Sequence, residues 1–333
     1  MKIRIGHSPD ADDAFMFYAL AKRKIPSHGF EIEHVIDDIE SLNRRAFQAE
    51  LEVTALSCHA YGFLHDRYEL LPYGSSVGEG YGPVVIARPG GPKQSPTEIA
   101  SSLPAEGTVK GFLISPDAAF ASGVRASSLP SAASRNDGAK IRHARIAVPG
   151  RYTTAYLALQ LFEPEFTPVF TPFDQIFQKV EKGEADFGLL IHEGQLTYQE
   201  LGFQKVVDLG EWWKEQFDLP LPLGINAIRS DLGAETISNF SLLFKESLDY
   251  AMGHREEALR YALEFGRGMD AKRGDRFVGM YVNDYSLDLG VKGVRALELL
   301  YDLAWKKGLI PGRLDFKNTE GVTMNRHAPR VKI

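Results

Sequence analysis

The sequence lacks several features that mark common protein classes. Its 333 residues contain one cysteine, Cys58, so no internal disulfide can form and nothing indicates an oxidising compartment. No run of about 20 uninterrupted apolar residues is present, and the opening MKIRIGHSPDADDAF lacks the apolar stretch of a secretory signal. These absences predict a cytoplasmic protein without a transmembrane helix.

Motifs for nucleotides, metals and nucleic acids are also missing. Residues 78–82 are glycine-rich but lack the GxxxxGK[ST] pattern, and no GxGxxG opens a helix, so neither ATP nor a dinucleotide is expected. No second acidic or histidine cluster accompanies the N-terminal aspartates, so we expect no metal and no cofactor. The formal net charge is −6 and no long basic run occurs, so nucleic acid is not an expected partner.

The composition that remains is that of an ordinary globular protein. Hydrophobic residues make up 44% and charged residues 25% of the chain. Since domains usually span about 100–200 residues, the length predicts two lobes. The expected target is therefore a small molecule.

Strand and helix patterns alternate along the chain. Residues 2–5 alternate polar and apolar side chains, and residues 14–20 form an apolar helix pattern. This alternation predicts an α/β fold with mainly parallel sheets flanked by helices. Residues 42–56 match residues 176–190 in pattern at an offset of 134 positions, which predicts two similar lobes with a ligand cleft between them.

The composition also suggests domain boundaries. Residues 89–143 are rich in Ser, Ala, Gly and Pro, which predicts a flexible insert that is either a plain surface insertion or a lid or oligomer contact. A proline-rich return strand is predicted at 219–228. We therefore expect lobe one to comprise residues 1–88 and 225–333, and lobe two residues 89–224.

Four polar residues follow predicted strands. In open α/β sheets ligands bind at the carboxyl ends of strands, so Ser8, Ser57, Thr153 and His192 are expected to converge. His192 ends an apolar strand in LLIHEG and is a candidate general base, with an ordinary pKa of about 6.5. A hydrogen-bonded structural histidine is the alternative, and Glu193 either orients the imidazole or faces solvent.

Two of the candidate binding segments precede helices. Thr153 and Thr154 open a helix whose N–H groups suit a carboxylate or phosphate, although plain N-capping by Thr153 explains the pattern equally well. Ser8 and Asp12 lie before the first helix and either cap it or bind substrate hydroxyls. Ser57 is expected to donate a hydrogen bond into the cleft.

Several segments, in order, resemble one enzyme family. They are GHSPDADDAFMFYAL, ESLNRRAF, TALSCHAY, GYGPVVIA, IAVPGRYTTAYLALQL, GLLIHEGQLTY, VVDLGEWW and LPLPLGINAIRSDL. Together they resemble the menaquinone-biosynthetic enzymes of the futalosine pathway, above all those that form 1,4-dihydroxy-6-naphthoate. The resemblance implies a fold like that of type II periplasmic binding proteins.

The resemblance also implies a reaction. It implies a lyase that cleaves cyclic dehypoxanthinyl futalosine to 1,4-dihydroxy-6-naphthoate without a redox cofactor, with His192 as the base. The substrate-binding residues that it implies are Asn43, Ser57, Thr153 and Thr154. With Ser8, Asp12 and Tyr156 they form the expected substrate-binding set.

Two positions depart from the family pattern. The family's first loop is usually SPCPNDTF, whereas this chain has SPDADDAF, and Ala55 stands where a lysine is common. Both changes alter how an anionic substrate is held. The chorismate dehydratase of the same pathway and a non-catalytic binding protein for a small carboxylate are the alternatives, and the IHEGQLTY stretch favours the lyase. A homodimer is a further expectation.

Overall fold

A computed structural model describes residues 1–90, 137–138, 140–265, 269–314 and 316. Most of the predicted insert at 89–143 therefore lies outside the described residues. The described strands are β1 (Lys2–His7), β2 (Glu31–Ile36), β3 (Val53–Ser57), β4 (Tyr68–Leu70), β5 (Ser76–Gly78), β6 (Val84–Ala87), β7 (Arg145–Val148), β8 (Thr167–Phe170), β9 (Phe187–Leu190), β10 (Gln204–Asp208) and β11 (Leu221–Arg229).

These strands form two sheets of similar topology. The first has the order β2-β1-β3-β11-β4, with β5 also paired to β11, and the second has the order β10-β6-β9-β7-β8. In each sheet three neighbouring strands run parallel, and one strand, β11 or β6, runs against its neighbours. The predicted two-lobed α/β fold with mainly parallel sheets is confirmed.

The internal repeat predicted from the sequence has a structural counterpart. The central strand β1 lies between β2 and β3, just as β7 lies between β8 and β9. β3 begins at Val53 and β9 at Phe187, which are 134 positions apart. Residues that follow β3 and β9 therefore occupy equivalent places in the two lobes.

Strand pairing differs from the predicted lobe boundaries. Val84–Ala87 was assigned to lobe one, but as β6 it pairs with β9 and β10 in the second sheet. The return strand β11 lies in the first sheet and begins at Leu221, before the predicted boundary at 225. The apolar sequence VVIA does not indicate to which of the two sheets the strand belongs. The crossing lies just before it, in the glycine-rich segment after β5.

Helices cover the sheets. They are α1 (Ala11–Met16), α2 (Tyr18–Ala21), α3 (Ile39–Phe47), α4 (Cys58–Leu64), α5 (Thr154–Phe162), α6 (Ile176–Glu181), α7 (Gly194–Thr197), α8 (Leu209–Phe217), α9 (Ala234–Gly253), α10 (Arg255–Leu263), α11 (Ala271–Tyr281), α12 (Asp284–Leu287) and α13 (Gly290–Lys306). Helices α9, α10 and α11 pack with α1 in the first lobe. Helix α13 contacts β11 of the first lobe and α5 of the second lobe.

The apolar cores explain why these elements stay together. Phe15 of α1, Phe240 and Phe244 of α9 and Phe277 of α11 are buried in one cluster. Another cluster joins residues of both lobes, from Leu56 to Val148. Fully burying one such side chain contributes about 1.5–3 kcal/mol, so the shared cluster ties the lobes to each other beside the cleft.

Candidate active site

A cleft of about 710 Å³, including its mouth open to solvent, lies where strand ends and helix starts of both lobes meet. Six of the predicted site residues line it, namely Ser8, Asp12, Ser57, Thr153, Thr154 and His192. The predicted convergence of residues that follow strands therefore matches the structure.

Asn43 is not among the cleft-lining residues but lies buried behind one of them. Its Nδ2 donates to Ser57 Oγ over 3.0 Å, and Ser57 N donates to its Oδ1 over 3.0 Å. Asn43 therefore holds Ser57 from two sides. Because the asparagine amide donates to the serine oxygen, the serine's own O–H remains a donor for the cleft.

Tyr156 also lies outside the cleft lining, apart from the six predicted residues that line it. Its ring meets those of Phe166 and Phe170 edge-on, at centroid distances of 6.1 and 5.5 Å. Successive residues of a helix point about 100° apart, so Tyr156 faces away from the side on which Thr154 lies. Residues of one sequence motif can therefore lie on different faces of the helix.

His192 occupies an unusual backbone conformation. It follows β9 with a φ of 58°, in the left-handed region that non-glycine residues seldom adopt. Such a conformation costs of order 1–3 kcal/mol and is found mainly where the surroundings fix a functional residue. The side chain is 15% exposed, and the ring of Phe173 meets the imidazole edge-on at 5.1 Å.

Asp10 holds the imidazole of His192. Asp10 Oδ2 lies 2.9 Å from His192 Nδ1, and the Asp10 side chain is only 3% exposed. Burial disfavours the charged imidazole, but the negative charge and hydrogen bond of Asp10 outweigh it, so the pKa of His192 is raised. A carboxylate at Nδ1 favours the tautomer whose Nε2 carries the free lone pair, as a general base requires.

The other aspartates of the first loop have separate tasks. Asp13 Oδ2 accepts from Ser8 N over 2.8 Å and fixes the loop backbone. Asp12 lines the cleft, where burial and the charges of Asp13 and Asp10 hold the pKa of its carboxyl well above the usual range. A carboxyl that keeps its proton can donate a hydrogen bond to a ligand.

The helix start at the far side of the cleft combines a cap with open backbone donors. Thr153 Oγ1 accepts from Tyr156 N over 3.2 Å, so this threonine caps α5 as the plain alternative predicted. Thr154 Oγ1 donates to Leu223 O and accepts from His59 N. The first N–H groups of α5 belong to Thr154 and Ala155, two residues that line the cleft, and such groups have no intrahelical partner.

Six polar residues that line the cleft were not predicted as site residues, namely Asp10, Asp13, Ser76, Gln195, Asn226 and Tyr281. Asn226 Nδ2 donates to Gly74 O over 2.9 Å, while its buried Oδ1 has no hydrogen-bond partner in the described part of the chain. An asparagine inside the apolar strand INAI was the available signal. Tyr281 Oη donates to Gln195 Oε1 over 2.6 Å and so bridges the lobes, a pairing that no spacing predicts.

The described residues do not favour a cysteine nucleophile, a metal site or a membrane-spanning helix. Burial raises the pKa of Cys58 to about 12, so its thiol stays protonated near neutral pH and is a poor nucleophile. Among the described residues, no group of three or more His, Cys, Asp or Glu side chains is placed to hold a metal ion. Within the same residues, no helix combines the length and apolarity needed to cross a membrane.

Two α/β lobes with a cleft between them define a protein of the periplasmic-binding-protein-like class. An alkanesulfonate-binding protein and an aliphatic-sulfonate-binding protein share this fold. The one from Xanthomonas axonopodis pv. citri has a TM-score of 0.62 at 12% identity, over 94% of this chain and 95% of its own. The one from Escherichia coli has a TM-score of 0.57 at 10% identity, and the match covers 100% of this chain and 94% of that protein.

The family follows from sequence similarity. The menaquinone biosynthesis family matches residues 3–105 and 107–306, and the chain belongs to it. A 1,4-dihydroxy-6-naphthoate synthase of Thermus thermophilus is 36% identical over 92% of this chain and 95% of its own length. A Streptomyces coelicolor protein of the same name is 29% identical over 93% of this chain and 95% of its own length. The crystal structure of a protein from Archaeoglobus fulgidus has a TM-score of 0.75 at 46% identity, and the match covers 93% of this chain and 98% of that protein.

Proposed function

We propose that this chain is a carbon–carbon lyase that converts cyclic dehypoxanthinyl futalosine to 1,4-dihydroxy-6-naphthoate, with His192 as the general base. The observation that carries the proposal is an imidazole in the cleft wall whose Nδ1 is held by a buried carboxylate. The names of the Thermus and Streptomyces relatives give the product, 1,4-dihydroxy-6-naphthoate. Membership of the menaquinone biosynthesis family supplies the pathway.

The start of α5 is proposed to bind the substrate carboxylate. Unpaired N–H groups and the positive end of the helix dipole attract an anion there. The chain's net charge of −6 does not oppose this, because the anion meets a local helix terminus and not the average charge. We expect the ligand to be a small anionic molecule.

Residues of the first lobe are proposed to bind the oxygens of the substrate. The Ser57 hydroxyl is a donor because Asn43 Nδ2 already donates to its oxygen. Burial and the charges of Asp13 and Asp10 raise the pKa of the Asp12 carboxyl, which favours its protonated form as a second donor. Fixed donors near a developing negative charge lower the barrier, since they need no reorganisation when the charge appears.

In the proposed reaction, Nε2 of His192 takes a proton from a substrate carbon. The electron pair left on that carbon forms a double bond as the neighbouring carbon–carbon bond breaks. The pair of the broken bond stays on the departing carbon until that carbon is protonated, so no electrons pass to an outside acceptor. The resulting imidazolium is stabilised by Asp10 and can return the proton to a product. A positioned base of this kind typically contributes about 10²–10⁴-fold in rate.

The direct test is to incubate the purified protein with cyclic dehypoxanthinyl futalosine and to follow 1,4-dihydroxy-6-naphthoate by absorbance and mass. The proposal predicts turnover that His192→Gln removes. Saturable binding of the substrate without turnover would instead support the binding-protein alternative. Dehydration of chorismate, tested in parallel, would support the dehydratase alternative.

Location and assembly are part of the same proposal. We expect a cytoplasmic enzyme, which fractionation of cells can check, and a homodimer, which light scattering coupled to gel filtration can check. We also propose the two lobes as the domain units, with the crossings just before β6 and β11. Limited proteolysis tests this, because cleavage should concentrate between units and not inside them.

A further inference from the structure

The Asp10–His192 pair joins the two lobes. Asp10 follows β1 of the first sheet, and His192 follows β9 of the second. Their side chains are 3% and 15% exposed, and the facing atoms are 2.9 Å apart. The carboxylate and the imidazole therefore meet across the cleft.

Asp10 differs from the other aspartates that occupy the N-cap position of a helix. Asp38, Asp208 and Asp270 each accept hydrogen bonds from backbone N–H groups of the helices they begin. Asp10 is the N-cap residue of α1, yet its side chain makes no such bond. Since an N-cap bond typically contributes about 1 kcal/mol, Asp10 gives up a local interaction that its position offers.

The backbone around Asp10 is fixed by other groups. Asp10 N donates to Ser8 Oγ over 3.3 Å, and Ser8 N donates to Asp13 Oδ2 over 2.8 Å. These bonds hold the turn without help from the Asp10 carboxylate. On the other lobe, the left-handed φ of 58° fixes the direction in which His192 leaves its strand.

We infer that Asp10 is a positioning residue for His192, supplied across the cleft by the opposite lobe, so that the base is complete only while the lobes are closed. The inference rests on the proposed role of His192. Other contacts hold the same closed arrangement, among them Tyr281 to Gln195 at 2.6 Å and Tyr152 N to Glu40 Oε2 at 3.0 Å. Separating the lobes breaks the Asp10–His192 bond, because a hydrogen bond does not survive beyond about 3.5 Å.

The titratable groups that face His192 come from two segments. Asp10 and Asp12 lie on the first loop and α1, and Glu193 is its neighbour in the chain, while the uncharged ring of Phe173 packs on its edge. Of these three acidic side chains, Asp10 forms the ion pair with the imidazole. Asp10 can therefore both fix the tautomer and stabilise the imidazolium formed when the proton arrives.

The kinetic test is Asp10→Asn. Asparagine retains the size of the side chain but cannot stabilise the imidazolium, so we expect kcat to fall at least about 100-fold while KM changes less than about 3-fold. The acid limb of the kcat/KM profile should move to lower pH, because a charge that raises the pKa of His192 is gone. Asp10→Glu should recover part of kcat.

The matched control is Glu193→Gln. It removes a negative charge beside His192 while leaving the Asp10–His192 bond in place, so we expect kcat to stay within about 3-fold of the parent. Equal losses in Asp10→Asn and Glu193→Gln would assign the effect to general electrostatics and overturn the positioning role.

A second measurement does not depend on turnover. Imidazole ¹⁵N NMR, with the His192 signals assigned by their loss in His192→Gln, reports both the tautomer and the pKa. We expect the Nδ1–H form in the parent protein and a lower pKa in Asp10→Asn. A tautomer and a pKa that Asp10→Asn leaves unchanged would overturn the inference. If the pair is seen in NMR but the protein has no lyase activity, the proposed function fails and the pairing stands.

Discussion

The β1–α1 loop and the β7–α5 loop lie at matching places in the two lobes, yet they offer the cleft opposite chemistry. Each follows the central strand of its sheet and leads into a helix. The first carries three aspartates and leaves its helix without a side-chain cap. The second is capped by an uncharged threonine and leaves backbone N–H groups at the cleft. One fold pattern thus provides a proton-handling side and an anion-binding side.

The two sides are also held differently. In the first lobe the groups at the cleft are side chains fixed by neighbouring polar groups, as Ser57 is by Asn43. In the second lobe the donors are backbone groups fixed by the helix itself, with Thr153 as its cap. His192 belongs to the second lobe but takes its partner from the first. Substitutions should therefore affect rate, binding and stability in different proportions on the two sides.

The largest expected effect comes from His192→Gln, which removes the group on which both sides depend. We expect kcat to fall about 10²–10⁴-fold, because no other neutral imidazole lines the cleft among the described residues. Substrate binding, measured by calorimetry, should change little. A variant that keeps more than about a tenth of the parent kcat would rule out His192 as the base.

Asn43→Ala breaks the side-chain support of the first lobe. It removes two hydrogen bonds in a fully buried place, so we expect the free energy of unfolding to fall by about 1–3 kcal/mol and KM to rise. Ser57→Ala is the matched variant, since it removes the hydroxyl but keeps the bond from Ser57 N. It should raise KM with a smaller loss in urea-unfolding stability. Equal stability losses in both variants would contradict this division of roles.

Thr153→Ala breaks the cap of the second lobe. The free energy of unfolding should fall by about 0.5–2 kcal/mol, the usual loss for an N-cap, and KM should rise because the first turn of α5 is less well ordered. Thr153→Ser keeps the capping oxygen and should restore both quantities. If Thr153→Ala lowers stability without any change in KM, the start of α5 does not hold the substrate anion.

The cross-lobe pair predicts opposite effects of pH on stability and activity. Because the folded pKa of His192 is raised, the pair's stabilisation is fully present below the unfolded value of about 6.5 and is lost as pH rises through the folded value. Activity needs the neutral imidazole and should rise over the same range. The difference in Tm between the parent and Asp10→Asn should therefore narrow with rising pH. A difference that does not vary with pH would contradict the raised pKa.

The smallest effect is expected from Tyr156→Phe, which tests a predicted contact that the fold places elsewhere. The ring packs between Phe166 and Phe170, and phenylalanine preserves these contacts. We expect KM and kcat to stay within about 2-fold of the parent. A KM that rises about 10-fold would show that Tyr156 contacts the substrate and that α5 is oriented differently.

Much of the fold and part of the site follow from the sequence, and the physical reasons are specific. Hydrophobic alternation locates strands, and residues directly after parallel strands reach one edge, which is why Ser8, Ser57 and His192 were found together. The sheet to which β6 belongs was not predictable, because an apolar run fits either sheet. The pairing of Asp10 with His192 depends on how two lobes face each other, which no local pattern encodes. The position of Tyr156 outside the cleft lining was not predictable either, because a sequence motif does not fix which face of a helix a residue occupies.

Turnover with cyclic dehypoxanthinyl futalosine tests the central claim most directly. Purified parent protein and His192→Gln are compared at equal concentration, with product identified by mass. The account predicts one molecule of 1,4-dihydroxy-6-naphthoate for each substrate consumed by the parent protein, and a rate at least about 100-fold lower in the variant. Substrate that binds with saturation and is recovered unchanged from the parent protein would contradict it.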